Sequence, residues 1–336
     1  MPLIPDHVRA HVDAEGPRPG ADHPHRPRRA VPVQLPKSSL AALSRLSPWR
    51  SPAAAAAEWL CVAVTIAAAV AIDHLLVTAV AIVVIGARQH ALMVLGHEAA
   101  HYRFLPDRRC NDWVAELFVA WPVFMSARYF RITHTPHHQH LGDPEDGNRR
   151  AWRTHTPEGA LRPDWTYPKT RSQLLALLLR RAIGITGVLW IMRFFVAPLV
   201  LGRPWWEIVS QYGYHGLLIA GITAGGLWPQ VLIYWLLPYV TWHILAQHVR
   251  LICEHSGPIS DQPGYGLTRS THPGWLGRFL LLPRHIGYHL EHHWFPSVPW
   301  YNLPALYELL STDEGFARHA NVQSSIPASL SQCLDS

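Results

Sequence analysis

The sequence predicts an all-α integral membrane protein: four transmembrane helices in two hairpins, with a cytoplasmic cap of histidine-rich helices. Three observations carry this. Hydrophobic residues make up 49% of the 336 positions and charged residues only 15%, against about 25% charged in an ordinary soluble chain. Several apolar runs reach the ~20 residues that a bilayer crossing needs. Nine of the 23 histidines fall in short clusters with metal-ligand spacing, which no ordinary core requires.

Residues 1–50 are rich in Pro, Arg and His and lack apolar periodicity, so a disordered cytoplasmic tail is expected. They hold no apolar run of the kind a cleavable signal peptide has. Their histidines (His7, His11, His23, His25) are read as solvated. The stretch 51–310 is expected to form one membrane domain. Within it, 53–72 is almost wholly apolar, Asp73-His74 makes a polar break, and 75–95 is apolar again. This reads as a transmembrane hairpin whose second helix runs on into the first histidine cluster. Residues 113–127 are apolar but short, which suits an interfacial or re-entrant segment.

Two further spans are expected at about 208–226 and 229–247. The run 182–201 is long enough to cross but contains Arg193 and follows Arg180-Arg181. Parity decides its placement. If it crossed, the first and last histidine clusters would face opposite sides of the membrane. As an amphipathic interfacial helix, it leaves every cluster on the cytoplasmic side. The lysine and arginine bias agrees, since the 73–74 and 226–228 turns carry neither. Prolines 296, 299 and 304 then break the chain into short turns, 303–310 reads as one helix, and 311–336 as a polar, mobile tail.

The net charge of +6 fits cytoplasmic loops of a membrane protein. It would also attract acidic partners such as coenzyme A or acyl-carrier thioesters, lipid headgroups or an acidic redox protein. No nucleic-acid partner is expected. The four cysteines (Cys61, Cys110, Cys253, Cys333) form no CxxC, so neither a disulfide framework nor an iron–sulfur cluster is expected.

The histidine clusters are His97-Glu-Ala-Ala-His101, His134-Thr-Pro-His137-His138 and His289-Leu-Glu-His292-His293, with His255 alone in Glu254-His255. Residues i, i+3 and i+4 share one face of a helix. Each cluster therefore presents two or three imidazoles together. Nine nitrogens exceed the four or so that one zinc takes and fit two metals with four or five each. All-nitrogen ligation suits iron, zinc or copper. The Thr-Pro step after His134 strains a helix interior, which points to a helix start there. His74, His90, His215 and His243 lie in or beside spans and are read as packing residues. His272-Pro-Gly-Trp lacks the last glycine of a cytochrome b5 haem motif and is read as a turn.

The three boxes in this order on a hydrophobic chain, with Trp294-Phe-Pro-Ser-Val-Pro299 after the last, resemble the membrane fatty acid desaturase family over about residues 55–310. The resemblance implies two ferrous ions held by His97, His101, His134, His137, His138, His255, His289, His292 and His293. It implies O2 as co-substrate and hydrogen abstraction from a fatty acyl or other lipid chain to leave a C=C bond. Glu98, Asp143, Glu254 and Glu291 are expected to orient imidazoles from behind. Stearoyl-CoA desaturases place an asparagine four residues before the histidine matching His255. Leu251 stands there, which separates this chain from that subfamily. Without a redox motif of its own, the chain needs a separate ferredoxin, rubredoxin or cytochrome b5.

Rival readings stay open at this level. Lipid hydroxylases and carotenoid ketolases resemble desaturases in their boxes. His97-Glu98-Ala-Ala-His101 is also literally HExxH, the zinc-protease motif, which would leave the other boxes unexplained. A metal transporter would need polar residues lining the spans.

Overall fold

A computed structural model describes residues 31–335, apart from 155, 157–159, 258 and 263. The first helix, α1 (Lys37–Leu43), is short. The hairpin follows: α2 (Arg50–Ile72) and α3 (Leu75–Ala100), both long and apolar enough to cross a membrane. The predicted break is sharp for a local reason. Asp73 takes the left-handed conformation, φ 46°, and the His74 ring accepts the Leu76 N–H as the cap of α3. Leu60, Val64, Leu75, Leu76 and Val80 stay exposed on this hairpin, as lipid-facing residues would.

The short segment 113–127 is not one helix. It comprises α4 (Arg108–Ala115), a π-turn (Glu116–Ala120) and a 3-10 turn (Trp121–Val123) that stops at left-handed Phe124. Next comes α5 (Ala127–Gln139), capped by the Ser126 hydroxyl. The ambiguous run forms two helices, α6 (Arg171–Ala182) and α7 (Ile185–Val200), bent by 54° where Gly184 has φ 95°. Arg193 of α7 is half-buried and faces Tyr129.

The last two predicted spans are α8 (Trp205–Ala224) and an almost continuous helix from Trp228 to His255. The latter opens as α9 (Trp228–Val231), passes through π-turns at Leu232–Leu236 and Tyr239–His243, and ends as α10 (Ile244–His255). Gly86 lets α3 approach it closely. A Cβ at Gly86 would stand 2.7 Å from the Trp242 Cβ.

After the helix that ends at His255 come β1 (Ser270–Thr271), α11 (Trp275–Leu280), α12 (His289–Trp294) and α13 (Leu303–Leu310). After these come α14 (Glu314–His319), β2 (Val322–Gln323) and α15 (Ile326–Ser331), with β1 and β2 pairing in parallel. The expected helix at 303–310 forms at those bounds.

Two expectations about the ends need correction. The part of the expected disordered tail that is described, 31–50, packs against α12 and α13: Val33 is buried beside Leu290, Leu303 and Leu306, and Asn302 donates to the Leu43 carbonyl. Residues 1–30, with the four tail histidines, lie outside the described residues. The segment 311–336 is no mobile tail in its described part. Fully buried Arg269 donates to the Ser329 carbonyl and Gln332 Oε1, and Phe316 and Cys333 are buried beside apolar neighbours. Much of this anchoring is hydrogen bonding by polar groups, which a hydropathy reading does not register.

Candidate metal centre

Helix geometry brings the nine predicted imidazoles together. His97 and His101 sit on the last turns of α3, where the helix leaves its apolar stretch. His134, His137 and His138 lie on α5, His255 ends α10, and His289, His292 and His293 lie on α12. Pro136 does not start a helix, as its residue type suggested. It sits inside α5, where the helix ends only three residues later.

The imidazoles form two clusters. His97, His101, His134, His138 and His292 present ring nitrogens that all lie within 4.8 Å of one another. His137, His255 and His293 form a second such group, and His289 joins it through His255, with Glu254 also in reach. Boxes two and three each straddle both clusters, because i+3 and i+4, though on one side of the helix with i, diverge from each other by about 100° around its axis. Thus α5 sends His134 and His138 to the first cluster and His137 to the second. α12 sends His292 to the first and His289 and His293 to the second. The clusters touch where the rings of His138 and His293 stack at 4.1 Å.

The donor set fits metal ions. Nε2 of His134 lies 2.9 Å from that of His101 and 3.1 Å from that of His138. Nε2 of His289 lies 2.8 Å from that of His255 and 3.1 Å from that of His293. Two nitrogens at right angles on a metal, each ~2.1 Å away, stand about 3.0 Å apart. One Nε2 carries either one proton or one lone pair, so it cannot satisfy two such neighbours by hydrogen bonding. His292 is buried with neither ring nitrogen bonded to protein. Burial lowers the pKa of His134, His289, His292 and His293 well below the usual 6.5. They are neutral lone-pair donors at neutral pH, as metal ligation requires.

The groups behind the imidazoles differ in part from expectation. His137 Nδ1 is held at 2.8 Å by Asp146 rather than by Asp143. Burial pushes the Asp146 carboxyl up, but His137 and the Arg149 backbone N–H outweigh it and hold its pKa below normal. Asn148 lies 3.1 Å from His134 Nδ1 through its Nδ2, while its Oδ1 is buried without a partner. With the carboxamide turned over, that oxygen would accept Nδ1–H and free Nε2 for a metal. Asn148 did not stand out in sequence, and Asp146 did so only as one of the acids that follow box two. The Gly between them is the signal: a Cβ at Gly147 would stand 2.3 Å from the Thr133 carbonyl oxygen, so only Gly lets this loop lie against α5.

Glu254 Oε1 stands 3.4 Å from His289 Nδ1, where an orienting carboxylate is expected. Glu98 lies 3.7 Å from His97 Nδ1, but its Oε2 accepts the Trp300 N–H at 2.9 Å and ties the segment after box three to α3. Glu291 reaches no imidazole. It accepts the Ser270 hydroxyl, and burial raises its pKa to about 7. His255 Nδ1 faces the Leu267 carbonyl at 3.3 Å. Of the other span histidines, His90 and His243 pack edge to face, their ring centroids 5.8 Å apart, and His215 bonds the Gln211 carbonyl.

Comparison with known proteins agrees with this arrangement. Residues 73–321 match the family described as fatty acid desaturase. The chain is 30% identical over 254 residues to a dihydrorhizobitoxine desaturase of Bradyrhizobium elkanii, covering 71% of this chain and 69% of that protein. It is 24% identical to an sn-1 oleoyl-lipid 12-desaturase of Anabaena variabilis, covering 67% and 66%. A human sphingolipid delta(4)-desaturase/C4-monooxygenase is 26% identical over 65% of this chain and 61% of its own length. The chain thus spans about two thirds of the length of these relatives. Its two apolar helices mark it as a membrane protein. On this match across most of its length, the chain belongs to the fatty acid desaturase family, a family of oxidoreductases.

Proposed function

We propose that this protein is an O2-dependent lipid desaturase working at a nine-histidine diiron centre. The observation that carries the reading is the division of nine imidazoles into two touching clusters of five and four, the second with Glu254 beside it. Two iron ions there would supply O2 activation and hydrogen abstraction from an unactivated CH2–CH2 unit. The balance is one O2, two electrons and two protons consumed, with one C=C bond and two waters formed.

The chain's own residues prepare that chemistry. His97, His101, His134, His138 and His292 hold one ion; His137, His255, His289 and His293 hold the other. Asp146 and Asn148 fix the rings of His137 and His134, and Glu254 does so for His289. His97, His134 and His292 are buried while His101 and His138 are half-buried, so the packing limits the access of water to the first cluster. Four crossings, α2, α3, α8 and the helix from Trp228 to His255, with α6 and α7 at the interface, put all nine ligands on the cytoplasmic side.

The substrate is a lipid or fatty acyl chain, since the Anabaena relative's name specifies an oleoyl lipid. Electrons come from a separate carrier; one relative, from a Nostoc strain, is named as ferredoxin-linked. The test is to express wild type and His293→Ala in a host and compare total lipids by mass. A new species lighter by two hydrogens, lost in the variant, is expected. A species heavier by one oxygen would instead mean hydroxylation, an outcome that the human relative's double name makes worth scoring.

A further inference from the structure

The loop between β1 and box three carries a feature that the metal chemistry does not use. In α11, Trp275 is 72% exposed and Leu276 52% exposed, side by side, with Arg278 exposed beyond them. Between this helix and the start of α15 lies an open groove of about 330 Å³. Pro273, Trp275, Leu276, Gly277, Ile326 and Pro327 line it. Two adjacent large apolar side chains beside an apolar groove are costly in water.

Contacts to the spanning helices fix the height of α11. Arg88 of α3 donates to the Phe279 carbonyl, and its guanidinium lies 3.8 Å from the Phe279 ring centre. Trp242 donates to the Leu280 carbonyl at 3.3 Å. Arg88 lies about 20 Å along α3 from Leu75 at 1.5 Å per residue. A hydrocarbon layer ~30 Å thick would end some 10 Å further on. The other helix agrees. Glu58, bonded to Arg88 at 2.9 Å, lies about 12 Å into α2 from Arg50. Arg50 itself sits beside Trp49 and Tyr301, an interfacial set. Phe279 is therefore level with a point about 10 Å inside the apolar layer, the depth to which interfacial helices sink.

We propose that Pro273–Leu280 is a hook that dips into the cytoplasmic leaflet, with an acyl chain of a bilayer lipid lying in the groove against Ile326 and Pro327. Trp275 and Leu276 are immersed, and Arg278 reaches back to the headgroups on its aliphatic stem. The hook lies between β1 and box three. Its immersion sets the height of His289, His292 and His293 relative to the lipid chains. The inference rests on α2 and α3 crossing the bilayer, and it is independent of which reaction the centre performs.

The test uses the full-length protein in phosphatidylcholine nanodiscs, with Cys61→Ala and Cys110→Ser as background. An environment-sensitive fluorophore is placed at Leu276→Cys, and in a second sample at Val64→Cys on the lipid-facing side of α2. Quenching is measured with spin-labelled lipid and with aqueous iodide. Both positions are expected to emit to the blue, to be quenched at least several-fold more by the lipid than by iodide, and to differ in depth, with 276 shallower. Iodide quenching at 276 with lipid quenching at 64 would overturn the hook while leaving the spans intact. Shielding of 276 from both quenchers would mean that a protein surface covers it, and would overturn the lipid assignment. Iodide access at both positions would remove the crossing of α2 and the hook with it.

Discussion

The two imidazole clusters are built differently. The first is anchored on α3, a 26-residue helix whose last 16 residues are all buried, and its His97, His134 and His292 are buried too. The second is assembled from the last residue of α10, which closes the long helix from Trp228, one residue of α5 and two of the six-residue α12. A cavity of about 120 Å³, lined by Asp146, Arg149, Arg153 and Trp165 among others, opens beside His255. Both halves mix buried and half-buried rings, the solvent-side opening lies beside the second, and the joint is the stacked His138–His293 pair. Groups behind the rings serve both halves, Asn148 the first and Asp146 the second, and those are where perturbation should separate the two.

The largest effect is expected at the joint. His138→Ala or His293→Ala should abolish turnover, a loss of at least a thousand-fold, because each removes a ligand and the ring packed against the other cluster; product yield in a host measures it. Next comes the loop that serves both halves. Gly147→Ala forces backbone against Thr133, so a loss of about 1–3 kcal/mol is expected, read as a lower Tm of the purified protein. Truncating the groups behind the rings should cost about 10–100-fold in metal affinity. Asn148→Leu should weaken the first cluster and Asp146→Ala the second, and metal titration would show which site empties. Asn148→Asp should retain most of the affinity, since a carboxylate oxygen can accept Nδ1–H.

The smallest and broadest effect is with pH. The folded metal-free protein holds His134, His289, His292 and His293 neutral, with pKa lowered by burial. The unfolded chain takes up protons below about 6.5. It then binds more protons than the folded state, so stability must fall as pH drops from about 6.5 towards the lowered folded values. Tm of the metal-free protein should be flat above pH 7 and decline steadily to pH 5, more steeply than for His292→Phe.

The gathering of the nine histidines was legible in sequence because ligand spacing and helical spacing are the same numbers. The hairpin break at Asp73-His74 and the helix at 303–310 could also be read from local pattern. The sharing of boxes between clusters could not, since it depends on how α5 and α12 face each other. Asn148, and the choice of Asp146 among the acids after box two, were hidden for a similar reason. Their role is set by the tight seat of Gly147 on α5, whereas Asp143 was the more obvious acid by position. The ordered end of the chain was missed because Arg269, Ser329 and Gln332 hold it through hydrogen bonds, and apolar periodicity carries no trace of those. Pro136 misled because α5 accommodates it: its missing N–H leaves the Ile132 carbonyl, one turn back, without its intrahelical partner, and the helix still runs three residues further.

The most direct test of the account is the number and coupling of metal ions. Purified wild-type protein, loaded anaerobically with ferrous iron, should hold two ions per chain, and after oxidation by O2 they should show magnetic exchange coupling. His255→Ala should reduce the count towards one and abolish the coupling, since it removes one of the four imidazoles of the second cluster. A single uncoupled ion in the wild type, or zinc bound in preference with no second site, would contradict the division of the nine histidines into two adjacent centres.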